Sequence, residues 1–195
     1  MNTRTDYFRH SQKRAHLEFY PTPPEATKAL LSVESFDGSI WEPACGDGAI
    51  SKVLTNTGHE VVSTDLAFRG YGEGGTDFLK STSPKAKHII TNPPYGTHGL
   101  ADAFIRKALL HTRKTEGAVA MLLNWRSLCN SVRHHKFIKS PPSAIYAIDR
   151  LICWPYGVPT SYQSHIAKQQ YCWVVWRSGH TGHPKFWWLS MKDFR

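Results

Sequence analysis

The segment from Ser39 to Ile50 constrains the fold of this chain more than any other part of the sequence. It reads S-I-W-E-P-A-C-G-D-G-A-I, an apolar stretch that runs into a Gly-x-Gly turn, and a helical pattern continues through Val53 and Leu54. This order predicts a strand, a tight turn and a helix, the opening of a nucleotide-binding crossover unit. Glycines in such a turn let the backbone approach a ligand closely.

The turn lacks two features of phosphate-binding loops. The third glycine of the dinucleotide fingerprint is missing, and so is the Lys-Ser/Thr pair of a P-loop. A pyrophosphate ligand is therefore disfavoured. Glu42 and Asp47 flank the turn, and their negative charge suits a ligand that carries positive charge, such as the sulfonium and ammonium groups of S-adenosyl-L-methionine.

Apolar runs and helical patterns alternate along the rest of the chain. We predict strands near 39–44, 60–65, 87–92, 117–124, 144–151, 171–177 and 185–189, at most a short strand at 76–79, and helices near 24–34, 48–57, 99–114 and 126–138. Such alternation predicts an α/β protein with an open, mostly parallel sheet, helices on both faces and an antiparallel C-terminal strand. A basic arm (1–18) precedes a single predicted domain (19–195).

The tetrapeptide N-P-P-Y, from Asn92 to Tyr95, follows a predicted strand. An exocyclic amino group on a base or an amide is a poor nucleophile, because its lone pair is delocalised. Hydrogen-bond acceptors that pull its protons out of the plane release that lone pair for methylation. Asn92 offers a side-chain carbonyl and Pro93 a backbone carbonyl, and Pro93 and Pro94 hold both on a stiff platform. Tyr95 supplies a flat face for a base and a π cloud for the developing charge.

Two further acidic residues lie at predicted turns. Asp65 ends a predicted strand 19 positions after Gly46, close to the ~20-residue offset at which an acid reaches ribose hydroxyls in such folds. Asp77 and Phe78 either hold an adenine ring, by its amino group and its face, or form an ordinary turn and a core aromatic. The turn at Gly46, Asp65 and Asn92 all fall at carboxyl ends of predicted strands, so we expect them to converge on one cleft.

Taken in order, these motifs resemble those of the class I S-adenosylmethionine-dependent amino-methyltransferases, most closely the N6-adenine DNA methyltransferases. That family's elements are a Thr-Pro pair, E-P-A-C-G-x-G, an acid after the second strand, an Asp-Phe pair and N-P-P-Y, and all occur here within residues 19–125. The resemblance implies a Rossmann-like methyltransferase fold, S-adenosyl-L-methionine as cofactor, and methyl transfer to N6 of adenine in DNA or RNA.

The resemblance also assigns roles. It implies that Thr22 and the loop at Gly46 contact the methionine moiety, Asp65 the ribose and Asp77 the adenine. The full set of predicted cofactor-binding residues is Thr22, Pro23, Glu42, Ala44, Cys45, Gly46, Asp47, Gly48, Asp65, Leu66, Asp77 and Phe78. The predicted catalytic residues are Asn92, Pro93, Pro94 and Tyr95.

Two alternatives remain beside an adenine methyltransferase. Family members that read a DNA sequence usually carry a target-recognition domain, for which 195 residues leave no separate room. The glutamine methyltransferases that act on translation release factors share N-P-P-Y, so a protein glutamine N5-methyltransferase is one alternative. The other is a non-catalytic nucleic-acid-binding module on a methyltransferase fold, although the intact Asn92, Asp65 and Gly46 weigh against it.

The charge of the chain points to a polyanionic partner. The net charge is +9, and residues 101–140 carry eight Lys or Arg against Asp102 and Glu116, a segment charge of +6. Together with a base-methylating motif, this distribution favours nucleic acid, DNA in the first place. We predict that Arg126, Arg133 and Lys136 contact phosphates.

The segment from Cys153 to His165 is predicted to supply a second stacking partner. It is a long connection between two predicted strands and carries aromatic rings, and long loops of this kind are usually functional. Any one of Trp154, Tyr156 and Tyr162 is predicted to face a flipped base opposite Tyr95, with no preference among the three. The later tryptophans, Trp173, Trp176, Trp187 and Trp188, are predicted to be structural.

Several classes of protein are disfavoured. No apolar run reaches the ~18 residues of a transmembrane helix, and the polar N-terminus lacks a signal-peptide pattern. The four cysteines are scattered without a C-x-x-C pair, which is typical of a reduced, cytoplasmic protein with no structural zinc. We expect no metal and no membrane partner.

Overall fold

A computed structural model describes residues 19–95, 99–129, 131–154 and 169–194. The predicted arm (1–18) lies outside the described residues. The helices are α1 (Pro24–Leu31), α2 (Ala49–Asn56), α3 (Leu100–Thr115) and α4 (Ser131–Lys139). The strands are β1 (Ile40–Glu42), β2 (Val61–Ser63), β3 (His88–Thr91), β4 (Ala118–Asn124), β5 (Ala144–Ile148), β6 (Tyr171–Arg177) and β7 (Lys185–Leu189).

The seven strands form one sheet in the order β2-β1-β3-β4-β6-β5-β7. β1 pairs in parallel with β2 and β3, and β3 pairs in parallel with β4. β6 is antiparallel to both β4 and β5, and β7 returns to a parallel pairing with β5. The predicted open, mostly parallel sheet with an antiparallel C-terminal strand is confirmed. The sequence did not predict that β6 lies between β4 and β5.

Helices cover both faces of the sheet, as predicted. The described residues form two large buried clusters, and alternate residues of β4 belong to different ones. Ala120 and Leu122 belong to the first, and Val119 and Met121 belong to the second. The first cluster includes residues of α1 and α2, and the second includes residues of α3. A strand that is apolar on both faces in this way is typical of a sheet buried between two helical layers.

Of two local predictions, that of at most a short strand at 76–79 agrees with the structure, and that of one helix over 126–138 differs from it. Residues 76–79 form no strand, because the Asp77 carboxylate accepts from the Leu79 N–H at 3.0 Å and starts a 3-10 turn at Phe78–Lys80. The helix predicted over 126–138 is interrupted, since a 3-10 segment at Trp125–Cys129 precedes α4. Asn124 ends β4 and its side chain accepts from the Arg126 N–H at 3.0 Å, which favours the tighter turn.

Two of the three predicted phosphate ligands lie in an ion-pair cluster between helices. Asp102 of α3 accepts from Arg133 Nε at 2.7 Å and from Lys136 Nζ at 2.8 Å, both on α4. Arg133 is only 5% exposed. Burial alone would raise the pKa of Asp102, but Lys136 and Arg133 hold it below its usual value. The prediction that Arg133 contacts phosphates is therefore wrong, because its guanidinium ties α4 to α3.

The late tryptophans divide into two groups. Trp173 and Trp176 of β6 are buried, as predicted. Trp187 and Trp188 of β7 are 55% and 67% exposed, so the prediction that they are structural is wrong. The reason is topological, since β7 is the outermost strand and only its last residue, Leu189, is buried.

No helix within the described ranges is long and apolar enough to cross a bilayer.

Candidate active site

A cleft of about 580 Å³ opens at the carboxyl ends of β1, β2 and β3. The turn after β1, Asp65 after β2 and the N-P-P-Y segment after β3 all line it, together with the segment from Phe19 to Thr22. The sequence predicted this convergence, because parallel strands that are neighbours end at one edge of the sheet. The predicted catalytic residues and all of the predicted cofactor-binding residues except Pro23 and Gly48 therefore line one cavity.

The Gly-x-Gly turn is tightly packed. Gly46 and Gly48 have φ values of 56° and 80°, in the left-handed region that side chains rarely adopt. A Cβ at Gly46 would lie 2.5 Å from the Phe19 ring, and one at Gly48 would lie 2.4 Å from the Tyr71 ring. Both positions therefore require glycine, for backbone conformation and for space.

Asp65 connects the end of β2 to this turn. Its carboxylate accepts from the Gly46 N–H at 2.8 Å and from the Ala67 N–H at 2.9 Å. A carboxylate has about four lone-pair sites, so these two bonds leave acceptor capacity directed at the cleft. Asp65 is thus held in place by backbone groups and can still accept from a ligand hydroxyl.

Glu42 lies at the end of β1 and is buried. Its Oε2 accepts from the Ser51 N–H at 2.8 Å and from the Ser51 hydroxyl, so it anchors the first turn of α2. Burial raises the pKa of Glu42 to about 8. Near neutral pH much of Glu42 is therefore protonated and lacks the negative charge predicted from the sequence.

The raised pKa of Glu42 makes stability depend on pH. The folded state holds a proton that the unfolded state releases near pH 4.5, so the stability from this proton is complete below about pH 4.5 and is lost as pH rises towards 8. Glu42→Gln keeps an acceptor for Ser51 and removes the titration. Urea unfolding from pH 5 to 8 should show wild type losing stability relative to the variant, and parallel pH profiles would contradict this assignment.

Asp77 and Phe78 lie side by side at the wall of the cleft. The Asp77 carboxylate caps the following 3-10 turn. Phe78 is buried and packs 5.0 Å, between ring centroids, from both Trp41 and Phe104. Of the two interpretations left open for Phe78, the structure favours the core aromatic, which also lines the cavity. Asp77 stays a prediction as a ligand of the adenine.

The Asn92 side chain is held in one orientation. Its Nδ2 donates to the Tyr20 carbonyl at 3.2 Å and to Thr22 Oγ1 at 3.1 Å. Because both donors of the amide are used on the segment before α1, Oδ1 has to point the other way. Thr22, predicted to touch the cofactor, is therefore also a group that positions Asn92. The contribution of Tyr20 could not be predicted from the sequence, since a backbone carbonyl leaves no trace in the residue pattern.

Tyr95 is turned inwards in this structure. Its hydroxyl lies 2.8 Å from Asn92 Oδ1 and 2.9 Å from the Leu122 carbonyl of β4, and its single proton serves one of them at a time. Burial raises the pKa of the Tyr95 phenol well above its usual value, so the hydroxyl stays a neutral donor. Asn92 Oδ1, the acceptor predicted for a substrate amino group, is thus within hydrogen-bonding distance of the Tyr95 hydroxyl. That hydroxyl has the Leu122 carbonyl beside it as a second acceptor.

The remaining predicted site residues are less informative. Tyr156 and Tyr162 lie outside the described residues. Arg126 is exposed at the end of β4. Arg69 was not predicted, yet it lines the cleft with its guanidinium 4.6 Å from the centre of the Phe19 ring. In the described part of the chain, no group of three or more His, Cys, Asp or Glu side chains is arranged to hold a metal ion.

The fold is similar to solved structures, although no known family profile and no curated protein matches the chain. One is the modification subunit of a protein assigned as a type I restriction enzyme from Vibrio vulnificus YJ016 (TM-score 0.61, 12% identity, 95% of this chain and 50% of that one). Another is a protein assigned as an RNA methyltransferase from Pyrococcus horikoshii (TM-score 0.60, 16% identity, 83% and 87%). A third is the M protein of the type I restriction enzyme EcoKI (TM-score 0.54, 15% identity, 88% and 46%).

These similarities concern the fold. The chain has the Rossmann-like fold of these structures, with seven strands and helices on both faces. It spans about half the length of the two restriction-enzyme subunits.

Proposed function

We propose that this protein is an S-adenosyl-L-methionine-dependent methyltransferase that modifies N6 of adenine in DNA, with adenine in RNA as a close variant. The observation that carries the proposal is the Asn92 side chain, whose Oδ1 is oriented by two donations from Nδ2 and lies in the same cleft as Asp65. An oriented acceptor beside a nucleoside-binding acid is the arrangement that amino-group methylation needs.

The residues of the cleft fit the proposed cofactor. Asp65 retains acceptor capacity for ribose hydroxyls, and Asp47 supplies negative charge near a cationic ligand. Leu66, Leu79 and Phe104 supply apolar wall. The cofactor would provide an electrophilic methyl group, and the Gly46 turn would let it approach the backbone.

Asn92 and Pro93 would prepare the attacking nitrogen. The substrate amino group would replace the Tyr95 hydroxyl on Asn92 Oδ1, and the hydroxyl would keep the Leu122 carbonyl as its acceptor. The Pro93 carbonyl would accept a hydrogen bond from the second N–H of the amino group. Both acceptors gain strength as positive charge develops on nitrogen, so they favour the transition state over the bound substrate.

The exposed cations support a nucleic-acid substrate. Of the eight Lys and Arg residues between 101 and 140, five are exposed, namely Arg106, Arg113, Lys114, Arg126 and Lys139. They extend over α3, the end of β4 and α4. A spread of exposed cations suits a phosphate backbone, whose binding weakens steeply with salt.

Asp65→Ala should weaken S-adenosyl-L-methionine binding about 10- to 150-fold, because a hydrogen bond to a charged group contributes roughly 1.5–3 kcal/mol. The variant also loses the acceptor for the Gly46 N–H, which loosens the cofactor turn. Isothermal titration calorimetry measures the effect. Glu60→Ala is the matched control, because Glu60 is an exposed acid at the other end of β2 and should leave the affinity unchanged. A folded Asp65→Ala protein with wild-type affinity would contradict the proposal that Asp65 binds the ribose of the cofactor.

A labelling assay tests the proposed reaction. The protein is incubated with methyl-labelled cofactor and, separately, with DNA, RNA or a protein extract, and the products are digested and analysed as nucleosides or amino acids. Label in N6-methyladenine is the expected result. Asn92→Ala is the matched control for contaminating activity. Label in glutamine would support the protein methyltransferase instead, and nucleic-acid binding without any labelled product would support the non-catalytic module.

A further inference from the structure

Four aromatic rings form a connected series on the surface, which we call the aromatic ladder. It runs from Trp125 to Phe186 (5.9 Å between ring centroids), from Phe186 to Trp188 (4.8 Å) and from Trp188 to Trp187 (6.4 Å). All three separations lie within the range of direct aromatic contact. Trp125 and Phe186, 61 positions apart in the chain, therefore belong to one continuous surface.

The ladder is exposed to an extent that aromatic side chains seldom show. Phe186, Trp187 and Trp188 are 39%, 55% and 67% exposed, and they follow one another on the outermost strand. Trp187 pairs in register with Tyr146 and Trp188 with Ala147, so consecutive rings point to opposite faces and the ladder wraps around the edge of the sheet. Single exposed apolar residues are ordinary, but a contiguous exposed group marks a binding surface.

The ladder begins next to the cleft. Trp125 directly follows β4, and β4 is the neighbour of β3, whose carboxyl end carries Asn92. β4 and β5 are both antiparallel to β6 and therefore run in the same direction, and β7 is parallel to β5. The carboxyl end of β7 therefore lies at the edge of the sheet where the cleft opens. A nucleic-acid strand that enters the cleft can therefore continue along the aromatic ladder.

Cations accompany the rings. Arg126 is exposed and follows Trp125, and Lys185 is exposed and precedes Phe186. Single-stranded nucleic acid is bound by this combination of rings that stack on bases and cations that contact phosphates. The net charge of +9 has the sign that such a partner requires.

We propose that the aromatic ladder stacks unpaired bases of the substrate strand outside the methyl-transfer cleft, with Arg126 and Lys185 on the adjoining phosphates. This inference rests on the proposed nucleic-acid substrate and adds where the flanking nucleotides bind. A second copy of the chain is a poorer occupant, because the exposed parts of the three rings on β7 supply roughly 400 Å², against about 800 Å² that each partner contributes to a stable dimer.

The test is a double variant, Trp187→Ala with Trp188→Ala. Its affinity for a labelled single-stranded oligonucleotide, measured by fluorescence anisotropy, should fall on the order of 30-fold or more, since each stacked base contributes about 5-fold or more. Cofactor affinity and the thermal unfolding midpoint should stay at their wild-type values, because both rings lie outside the core. Leu110→Ala is the matched control, an exposed apolar residue of α3 that is not part of the ladder.

A rescue variant checks that stacking is the cause. Trp187→Phe with Trp188→Phe retains two rings and should recover most of the affinity that the alanine variant loses. Failure of the aromatic pair to bind better than the alanine pair would contradict the inference, because charge and strand pairing are the same in both.

The remaining outcomes separate this inference from the proposed function. Wild-type protein that binds no nucleic acid overturns both. Wild-type protein that binds and methylates nucleic acid, beside a double variant of equal affinity, overturns the ladder alone. A wild-type dimer that becomes monomeric in the double variant, measured by analytical ultracentrifugation, would make the ladder an interface between copies and also overturn it.

Discussion

Asn92→Ala should lower the rate of methyl transfer by about 10²- to 10³-fold, the cost of removing one preorganised group that stabilises developing charge. The structure adds a reason for so large an effect. Asn92 Oδ1 is fixed by two donations from Nδ2, so it needs no reorientation when the amino nitrogen becomes tetrahedral. Single-turnover measurements with saturating cofactor give the rate. Near-normal transfer would mean that the N-P-P-Y segment is only a stiff turn and has no role in the reaction.

Three further variants distinguish positioning from direct contact. Thr22→Val removes one hydrogen bond to Asn92 and should slow transfer about 5-fold, while Thr22→Ser should restore it, because a neutral hydrogen bond contributes about 1 kcal/mol. Tyr95→Phe removes the hydroxyl from Asn92 Oδ1 but keeps the ring, so the rate should stay close to wild type. A Tyr95→Phe enzyme as slow as Asn92→Ala would show that the hydroxyl itself takes part.

Asp102→Ala should destabilise the protein by about 3–5 kcal/mol, because it leaves the buried Arg133 guanidinium without its carboxylate. Lys136 loses the same partner. The loss should appear as a lower urea midpoint, with an activity per folded molecule that is close to wild type. Lys85→Ala is the matched control, since Lys85 forms a surface ion pair with Glu73 at 3.7 Å and its removal should cost under about 1 kcal/mol.

A compensating change tests the cause of that loss. Arg133→Met added to Asp102→Ala replaces the buried charge by an apolar side chain of similar length, so it should recover much of the stability. An Asp102→Ala protein as stable as wild type would mean that water reaches the guanidinium. The same result would return Arg133 to the predicted phosphate ligands.

The parts of the site that could be predicted from sequence are those that depend only on the order of residues along the chain. Gly46, Asp65 and Asn92 each follow an apolar run, and parallel strands bring such positions to one edge whatever the details of packing. Their convergence in one cleft therefore followed from the alternation of elements alone. The mostly parallel sheet was predictable for the same reason.

The parts that could not be predicted depend on contacts between distant residues. Arg133 looks like a surface cation in its own helix, and only the packing of α3 on α4 brings Asp102 to it. Trp188 looks like a core residue in an apolar strand, and only the sheet order places that strand at the edge. The inward turn of Tyr95 depends on a carbonyl of β4, which no residue pattern specifies.

The position of β6 between β4 and β5 has a consequence for how the chain reaches its native state. During synthesis β5 emerges before β6, yet among the described strands its sheet neighbours are β6 and β7, both made later. Until Tyr171–Arg177 leaves the ribosome, the pairing edge of β4 is open and β5 has no neighbour to join. Pairings that wait for distant segments form slowly and expose strand edges to aggregation. We therefore expect chains that stop before β6 to depend on chaperones, whereas β2, β1, β3 and β4 can already associate.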